Sequence, residues 1–228
     1  MANNSKVRIR SYRSSTDEAA VKRVFADGMY GMEYAGCLLI LNALGPKVAV
    51  AGVISSGIAY YNGWRTRSVV LAGVVPFVSA MLLARSVLVS GIRGYVTRSL
   101  QDDLENIDTF YLDNGPSHFW VAVEDATDEV IGCVALEHKS DGWGELRRMS
   151  VAESGRRRGV ASKLHGALLE HAKRHKMKGI FLETSNMQSP AIALYKRLGY
   201  EHESSSTKEA VPSLLKPLLQ IHLFRMTL

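Results

Sequence analysis

One block of strongly apolar sequence interrupts a chain of otherwise mixed character, and it limits how the rest can fold. Between Glu33 and Arg93 the chain is far more apolar than either flank. The second half of the block, residues 68–90, is long enough at about 1.5 Å per residue to cross a bilayer core of about 30 Å. Residues 45–47, Gly-Pro-Lys, interrupt the first half. A soluble helical hairpin buried in a large core is the alternative, but the length favours the membrane.

The block divides the chain into three predicted segments. Residues 1–34 hold the first strand and helix of a globular domain, residues 35–91 form a membrane-anchoring insertion, and residues 92–228 complete the domain. The first strand, residues 7–10, must pair with strands that follow the block, so both ends of the block must lie on one side of a bilayer. We therefore expect an even number of crossings, as a two-helix hairpin or a re-entrant anchor.

The flanks of the block have the pattern of an α+β domain. Residues 6–12 alternate as a strand, and residues 15–29 follow as a helix. After the block, three strands joined by short turns predict an antiparallel meander. A helix from Gly159, a strand, a second helix and a final strand complete the order. The predicted strands after the block cover residues 118–125, 129–138, 144–151, 179–185 and 218–228.

Composition narrows the range of partners. The two cysteines, Cys37 and Cys133, have neither disulfide-framework nor zinc-ligand spacing, so we predict no metal. A net charge of +6 suits nucleic acid, an anionic membrane surface or a phosphorylated ligand. We predict no nucleic-acid partner, because no basic stripe interleaved with aromatic residues and no zinc-finger spacing accompanies the charge.

A basic loop precedes the helix that starts near Gly159. The predicted strand ends at Val151, and three arginines, residues 156–158, stand directly before the glycine. The first turn of a helix leaves its backbone N–H groups unpaired and carries the positive end of the dipole, and a glycine there lets a phosphate approach. The loop therefore predicts a pyrophosphate site held mainly by the main chain. Read alone, such a loop is also typical of a solvated helix end.

The surroundings of this loop resemble the GCN5-related N-acetyltransferase (GNAT) superfamily. The family's acetyl-CoA loop, Gln/Arg-x-x-Gly-x-Gly/Ala, is matched by Arg-Arg-Arg-Gly-Val-Ala at residues 156–161, and the likeness extends over residues 145–201. The resemblance implies an α+β GNAT fold, a mixed and mostly antiparallel twisted sheet flanked by helices. It also implies an acetyl-CoA-dependent N-acetyltransferase. The apolar insertion after the first helix is similar to that of the camello-like membrane-bound subfamily.

The resemblance implies where the acetyl-CoA co-substrate lies. The strand ending at Val151 and the strand near residues 180–184 are expected to splay, with the pantetheine arm between them. Backbone groups of Met149 and Val151 would then pair with its amides. Asn186 is similar to a family residue that touches the cofactor, although a loop cap is an equal alternative. The implied loop residues are Arg156, Arg157, Arg158, Gly159, Val160 and Ala161.

Two side chains are candidates for proton transfer. Family position places Tyr195 at the thioester sulfur as the donor to the leaving thiolate, and a core role is the alternative. Glu145 is the candidate general base, acting through water, because it lies on the strand that ends at Val151. Glu183, His118 and His138 are alternative bases.

The sequence constrains the acceptor substrate less than it constrains the co-substrate. The subfamily implies direct attack, in a ternary complex, by a primary amine of a small amphipathic amino-acid derivative, such as a cysteine S-conjugate, or by a protein lysine. Strand alternation puts Arg147 and Arg148 on opposite faces, so at most one could hold an acceptor carboxylate. The implied location is the endoplasmic reticulum membrane, with the domain facing the cytosol. A membrane-anchored acetyl-CoA-binding or scaffolding protein without catalysis is the alternative class.

Overall fold

A seven-stranded sheet forms the centre of the protein. The computed structural model describes residues 6–207, 216 and 219–228. Residues 1–5, 208–215 and 217–218, which belong to the predicted first and last segments, lie outside the described residues. The strand order is β1-β2-β3-β4-β5-β7-β6. Neighbouring strands are antiparallel except β4 and β5, which run parallel. The strands are β1 Val7–Ser11, β2 His118–Glu124, β3 Val130–His138, β4 Trp143–Val151, β5 Gly179–Ser185, β6 Glu201–Ser206 and β7 Ile221–Thr227.

Helices cover both faces of this sheet. They are α1 Ser14–Tyr30, α2 Met32–Tyr61, α3 Thr66–Gln101, α4 Val160–Arg174 and α5 Ser189–Arg197. On one face, called the α1 face, α1 and the end of α3 pack on Phe119 and Val121 of β2. On the other, the α4 face, α4 and α5 pack on Trp120 and Ala122 of the same strand. Because β2 is buried on both sides, its sequence is continuously apolar rather than alternating.

Helix α4 packs on the sheet through one apolar stripe. Its buried stripe is Val160, Leu164, Leu168 and Ala172, all at most 1% exposed. At roughly 2 kcal/mol for each fully buried leucine, this stripe fixes the helix, and therefore its first turn, against β2 and β3.

Strand β6 is the element that sequence patterning missed. All six of its residues are exposed, so it has no apolar alternation to reveal it. Its backbone pairs with β7, which itself pairs with β5 along its whole length.

The apolar block forms two antiparallel helices, α2 and α3, joined at residues 62–65. Ser55 Oγ donates to Ala72 O at 2.7 Å, and Ser56 Oγ donates to Val69 O at 3.0 Å. A β-carbon on Gly52 would lie 2.9 Å from Gly73 O. Small residues and serine hydroxyls therefore bring the two backbones close together, a packing typical of helices in lipid.

The outer surfaces of the hairpin are apolar and exposed. Val53 is 73% exposed and Leu83 is 67% exposed. Within the described residues, Ser14–Tyr61 and Thr66–Gln101 are long and apolar enough to cross a membrane by length and composition, and only 17% and 6% of their most apolar windows are buried. The most apolar windows of these two helices are therefore not part of the core of the globular domain.

Helix α3 belongs to both parts of the molecule. It passes residue 91 without a break and carries Leu88, Ile92 and Val96 into the core of the α1 face. Its 36 residues span about 54 Å at 1.5 Å each. One rigid element thus connects the tip of the hairpin to the sheet.

Candidate active site

The parallel strands β4 and β5 pair at only one end. Trp143–Glu145 pair with Gly179–Phe181, and this part is called the closed end. Beyond it, β4 residues 146–151 have no partner on that side among the described residues, while β5 continues alongside β7. This gap between β4 and β5 is called the open edge.

Backbone groups of β4 point into the open edge. Ala152 N donates to Ile131 O of β3 at 2.9 Å. Because successive residues of a strand direct their N–H and C=O groups to opposite sides, Val151, and Met149 two residues earlier, direct theirs away from β3. Their side chains pack with the core of the α4 face. Met149 and Val151 thus present backbone donors and acceptors that another extended chain could pair with.

Two buried hydroxyl groups flank the same gap. Ser150 Oγ on β4 and Ser185 Oγ on β5 are buried and have no hydrogen-bond partner among the described residues. Both lie on the α1 face, since they alternate with residues of the opposite core. Buried hydroxyls without a partner are uncommon, so the open edge has unused capacity for a polar ligand or water.

The loop between β4 and α4, residues 152–159, has the geometry of an anion site and is called the anion loop. Arg157 and Gly159 have left-handed backbones, with φ of 60° and 73°. Lys163 N is bonded to Gly159 O, and the N–H groups of Val160, Ala161 and Ser162 have no backbone partner in the described part of the chain. A β-carbon at Gly159 would meet nothing within 4 Å, so the space before the helix is open. A phosphate fits this concave set of donors at a helix N-terminus.

The three arginines of the loop do not act alike. Arg158 is turned inward, with Nη2 2.9 Å from Glu124 Oε1 and Nη1 donating to Ser154 O at 3.2 Å. Arg156 and Arg157 are exposed, and Arg156 Nε lies 3.5 Å from Val151 O at the open edge. Two guanidinium groups are therefore placed to meet a phosphate, whereas Arg158 braces the loop.

Tyr195 lies in the core of the α4 face. It is 6% exposed and meets the Tyr200 ring edge-to-face at 5.8 Å between centroids. Burial raises its pKa above the usual value, so the phenol keeps its proton at neutral pH. Tyr200 OH lies 3.1 Å from His165 Nε2, but the Tyr195 hydroxyl has no such partner among the described residues. Its proton is therefore not committed to another side chain.

Asn186 joins two segments at the end of β5. Its backbone N donates to Gln220 O at 3.0 Å, and its Oδ1 accepts from Gln220 N at 3.3 Å. This is the geometry of a loop cap. Any contact with a ligand would be additional.

Glu145 lies on the α1 face at the closed end. Its carboxylate is 2.8 Å from Lys139 Nζ, which is also 2.7 Å from Glu137. Glu137 in turn accepts from Arg147 Nη1 at 2.5 Å. The candidate base is thus one end of a chain of alternating charges that leads along β4 toward the open edge.

The alternative bases lie in different places. His118 is at the start of β2, where its ring stacks on His171 at 5.1 Å, and burial together with the charge of His171 lowers its pKa to about 4. His138 ends β3, and Glu183 lies exposed on β5. His118 is thus part of an aromatic and histidine cluster away from the open edge.

The expectation that Arg147 and Arg148 lie on opposite faces is wrong. The β3–β4 register shifts by one residue between Cys133 and Ala135, and Arg148 has a φ of 55°. This β-bulge turns both arginines to the α1 face, where both meet Asp103. Sequence alternation could not reveal the bulge, and Asp103 had no signal in the sequence that separated it from its acidic neighbours.

Comparison with known proteins decides the family. The sequence model of the Acetyltransferase (GNAT) family matches residues 92–200. N-acetylaspartate synthetase of Rattus norvegicus is 31% identical over 215 residues, which cover 93% of this chain and 69% of that protein. The chain belongs to the GNAT family of acetyltransferases.

Further similarities agree with this membership. The Xenopus tropicalis protein named "Probable N-acetyltransferase camello" is 30% identical over 211 residues, covering 92% of this chain and 91% of that protein. A GNAT-family acetyltransferase structure from Staphylococcus aureus Mu50 has a TM-score of 0.54 at 16% identity, covering 96% of this chain and 99% of that one. The predicted GNAT fold and the likeness to camello-like N-acetyltransferases are confirmed. The protein is an N-acetyltransferase.

Proposed function

We propose that this GNAT protein is a membrane-anchored enzyme that transfers the acetyl group of acetyl-CoA to the primary amine of a small amphipathic amino-acid derivative. A protein lysine is the competing acceptor. We place the enzyme in the endoplasmic reticulum membrane with its catalytic domain facing the cytosol. The single observation that carries the proposal is the open edge of β4 ending directly in the anion loop before α4.

Acetyl-CoA suits this arrangement in its length and its polarity. Its pyrophosphate would take the free N–H groups of Val160 and Ala161 at Gly159, with Arg156 and Arg157 beside them. Its pantetheine arm would pair with the backbone of Met149 and Val151. In this arrangement Arg158 supports the loop and Asn186 closes the end of β5.

Direct attack accounts for the two proton-transfer candidates. The neutral amine forms the new C–N bond at the acetyl carbon, and the C–S bond breaks to release CoA thiolate. We propose that Glu145 takes the ammonium proton through water and that Tyr195 gives its proton to the thiolate. A backbone N–H of Met149 or Val151 would stabilise the oxyanion.

The exposed apolar hairpin supports membrane anchoring. Both of its ends join the same sheet, since β1 precedes it and β2 follows it. A pair of crossings leaves the domain on one side, and acetyl-CoA supply favours the cytosol.

The root of the hairpin supports an acceptor with an apolar arm. A β-carbon on Gly31, where α1 meets α2, would lie 3.8 Å from Arg156 Nη2 of the anion loop. A β-carbon on Gly36 of α2 would lie 2.9 Å from Met187 Sδ, just after β5. The open edge therefore adjoins the membrane-facing helices. The relative named N-acetylaspartate synthetase favours a small amino-acid acceptor over a protein.

An acceptor panel tests this proposal. Purified full-length protein in nanodiscs receives acetyl-CoA with S-benzyl-cysteine, aspartate, spermidine or a lysine peptide, and release of the CoA thiol is followed. We expect turnover with S-benzyl-cysteine or aspartate, and its loss in Gly159→Glu. Turnover with the lysine peptide alone would replace the small acceptor by a protein, and no release with any acceptor would contradict the proposal.

Liposome flotation tests the anchor separately. We expect the full chain to float and to resist a carbonate wash. The double variant Val53→Glu and Leu83→Glu, which charges two exposed positions of the hairpin, should remain at the bottom of the gradient. Equal flotation of wild type and variant would contradict insertion.

A further inference from the structure

The last turns of α3 hold the guanidinium group of Arg148. Arg148 Nε donates to Asp103 Oδ2 at 2.8 Å, and Nη2 donates to Asp103 Oδ1. Arg148 Nη1 donates to Tyr95 OH at 2.9 Å and to Ser99 Oγ at 2.8 Å. Tyr111 OH completes the cluster by donating to Asp103 Oδ2. Residues of α3 and of the turn directly after it thus satisfy four of the five guanidinium N–H groups.

This cluster is enclosed by protein. The side chain of Arg148 is 4% exposed and that of Asp103 is 0% exposed. Burial alone opposes ionisation of Asp103, but hydrogen bonds from Arg148 outweigh it and lower the pKa of the carboxyl. Arg148 also lies 5.1 Å from the ring centroid of Phe25 in α1. The pair is charged, geometrically fixed and shielded from solvent, so it cannot bind an acceptor carboxylate.

Arg148 is the inserted residue of the β4 bulge. On the closed side of the bulge Ala135 pairs with Arg147, and on the open side Cys133 pairs with Ser150. Without the extra residue, Val151 rather than Ala152 would stand opposite Ile131 and direct its N–H to β3. The bulge therefore determines that Met149 and Val151 face the open edge. Its left-handed backbone, unusual for arginine, requires support from the surroundings.

We propose that Arg148 is a positioning residue through which α3, the second hairpin helix, fixes the β4 bulge and so aligns the backbone groups that hold the thioester. The hairpin thus has a second role besides anchoring, because α3 extends beyond the apolar block and contacts Arg148 of β4. The inference rests on the proposed function of the open edge.

The chain offers a matched control in a second buried arginine–aspartate pair. Arg10 Nη1 and Nη2 donate to Asp17 at 2.5 and 2.9 Å, and the two side chains are 12% and 2% exposed. This pair joins β1 to α1 at the edge of the sheet, three strands from the open edge. Its chemistry matches that of the Arg148 pair, but its location does not.

The experiment compares Arg148→Lys with Arg10→Lys in the full-length protein. Lysine keeps the charge but loses the bidentate fork, so both variants should lower Tm. Below both melting temperatures, we expect Arg148→Lys to lower kcat about 100-fold, because small misplacements of reacting groups have effects of this size. Arg10→Lys should keep kcat within about threefold. Tyr95→Phe, which removes one hydrogen bond from α3 to Arg148, should lower kcat by about fivefold and serves if Arg148→Lys does not fold.

The outcomes separate the two proposals. An active wild type with equal kcat in Arg148→Lys and Arg10→Lys, or with unchanged kcat in Tyr95→Phe, would overturn the positioning role alone. If no acceptor is turned over but acetyl-CoA still binds, its Kd in the same variants decides, with at least a tenfold rise expected only for Arg148→Lys. A wild type that neither binds nor transfers acetyl-CoA would overturn the proposed function and this inference together.

Discussion

The two ends of strand β4 differ in their pairing and in the regularity of their backbone. The closed end pairs with β5, and added β-carbons at Gly144 and Gly179 would lie 2.7 Å from Leu136 and 2.3 Å from Trp143, so its packing is tight. The open edge has lost its partner, contains a bulge and presents free backbone groups beside the anion loop. The regular part of the strand holds the sheet together, and under the proposed function the irregular part provides the binding groups. It predicts that changes at the open edge affect catalysis and that changes at the closed end affect stability.

The largest effect is expected from Tyr195, the proposed proton donor. Tyr195→Phe should lower kcat by about 100-fold and leave the KM for acetyl-CoA within threefold, because only the proton donor is removed. Tyr200→Phe is the control, since its hydroxyl is bonded to His165 and should contribute to stability instead. Steady-state kinetics of both variants checks this. Equal kcat in Tyr195→Phe and wild type would remove Tyr195 from the chemistry.

Glu145 tests the comparison from the other end, because it is a candidate catalytic residue placed at the closed end. If it is the general base, Glu145→Gln should lower kcat by about 30-fold. The matched variant Glu137→Gln removes a carboxylate from the same lysine and should keep kcat within about threefold of wild type. A kcat for Glu145→Gln within threefold of wild type would assign the residue to the ion pair with Lys139 only.

Gly179 provides the stability counterpart. A β-carbon there would lie 2.3 Å from Trp143 Cζ3 and 2.5 Å from Met226 O. Gly179→Ala should therefore lower the free energy of unfolding by roughly 1–3 kcal/mol through overpacking, with no change in the KM for acetyl-CoA. Gly166→Ala, in α4 with open space around it, should stabilise slightly. Thermal melts and kinetics together check both variants. A raised KM for acetyl-CoA in Gly179→Ala would contradict the distinction between the two ends.

The smallest effect is a pH dependence of stability near the closed end. Burial and the neighbouring charges of His171 and Arg174 lower the pKa of His118 to about 4. The unfolded chain, with a histidine pKa of about 6.5, therefore takes up this proton first as the pH falls. Stability is complete above about pH 6.5 and should decrease toward pH 4. His118→Gln should flatten part of the slope of Tm against pH, and an unchanged slope would contradict the assignment.

Much of the fold was predictable because it follows from local patterns. Short apolar runs joined by turns predicted β2 and β3, and the helical spacing of apolar residues predicted α4. The bulge at Arg148 escaped because one inserted residue leaves no trace in an alternating strand, and Asp103, the carboxylate that pairs with Arg148, is 45 residues away in sequence. The inward turn of Arg158 escaped for the same reason, since its partner Glu124 lies on another strand. Ion pairs between distant elements cannot be predicted from residue spacing in the sequence, whereas helix caps and apolar helix faces can.

The most direct test of the open edge and its loop is the Kd for acetyl-CoA in two alanine variants, measured by titration calorimetry on the full-length protein. Gly159 and Gly115 both have left-handed backbones, with φ of 73° and 57°, and both have no neighbour within 4 Å of an added β-carbon. Backbone strain is thus similar, but only Gly159 faces the proposed pyrophosphate. We predict at least a tenfold rise in Kd for Gly159→Ala and less than a twofold change for Gly115→Ala. Equal changes in the two variants would contradict binding at this loop.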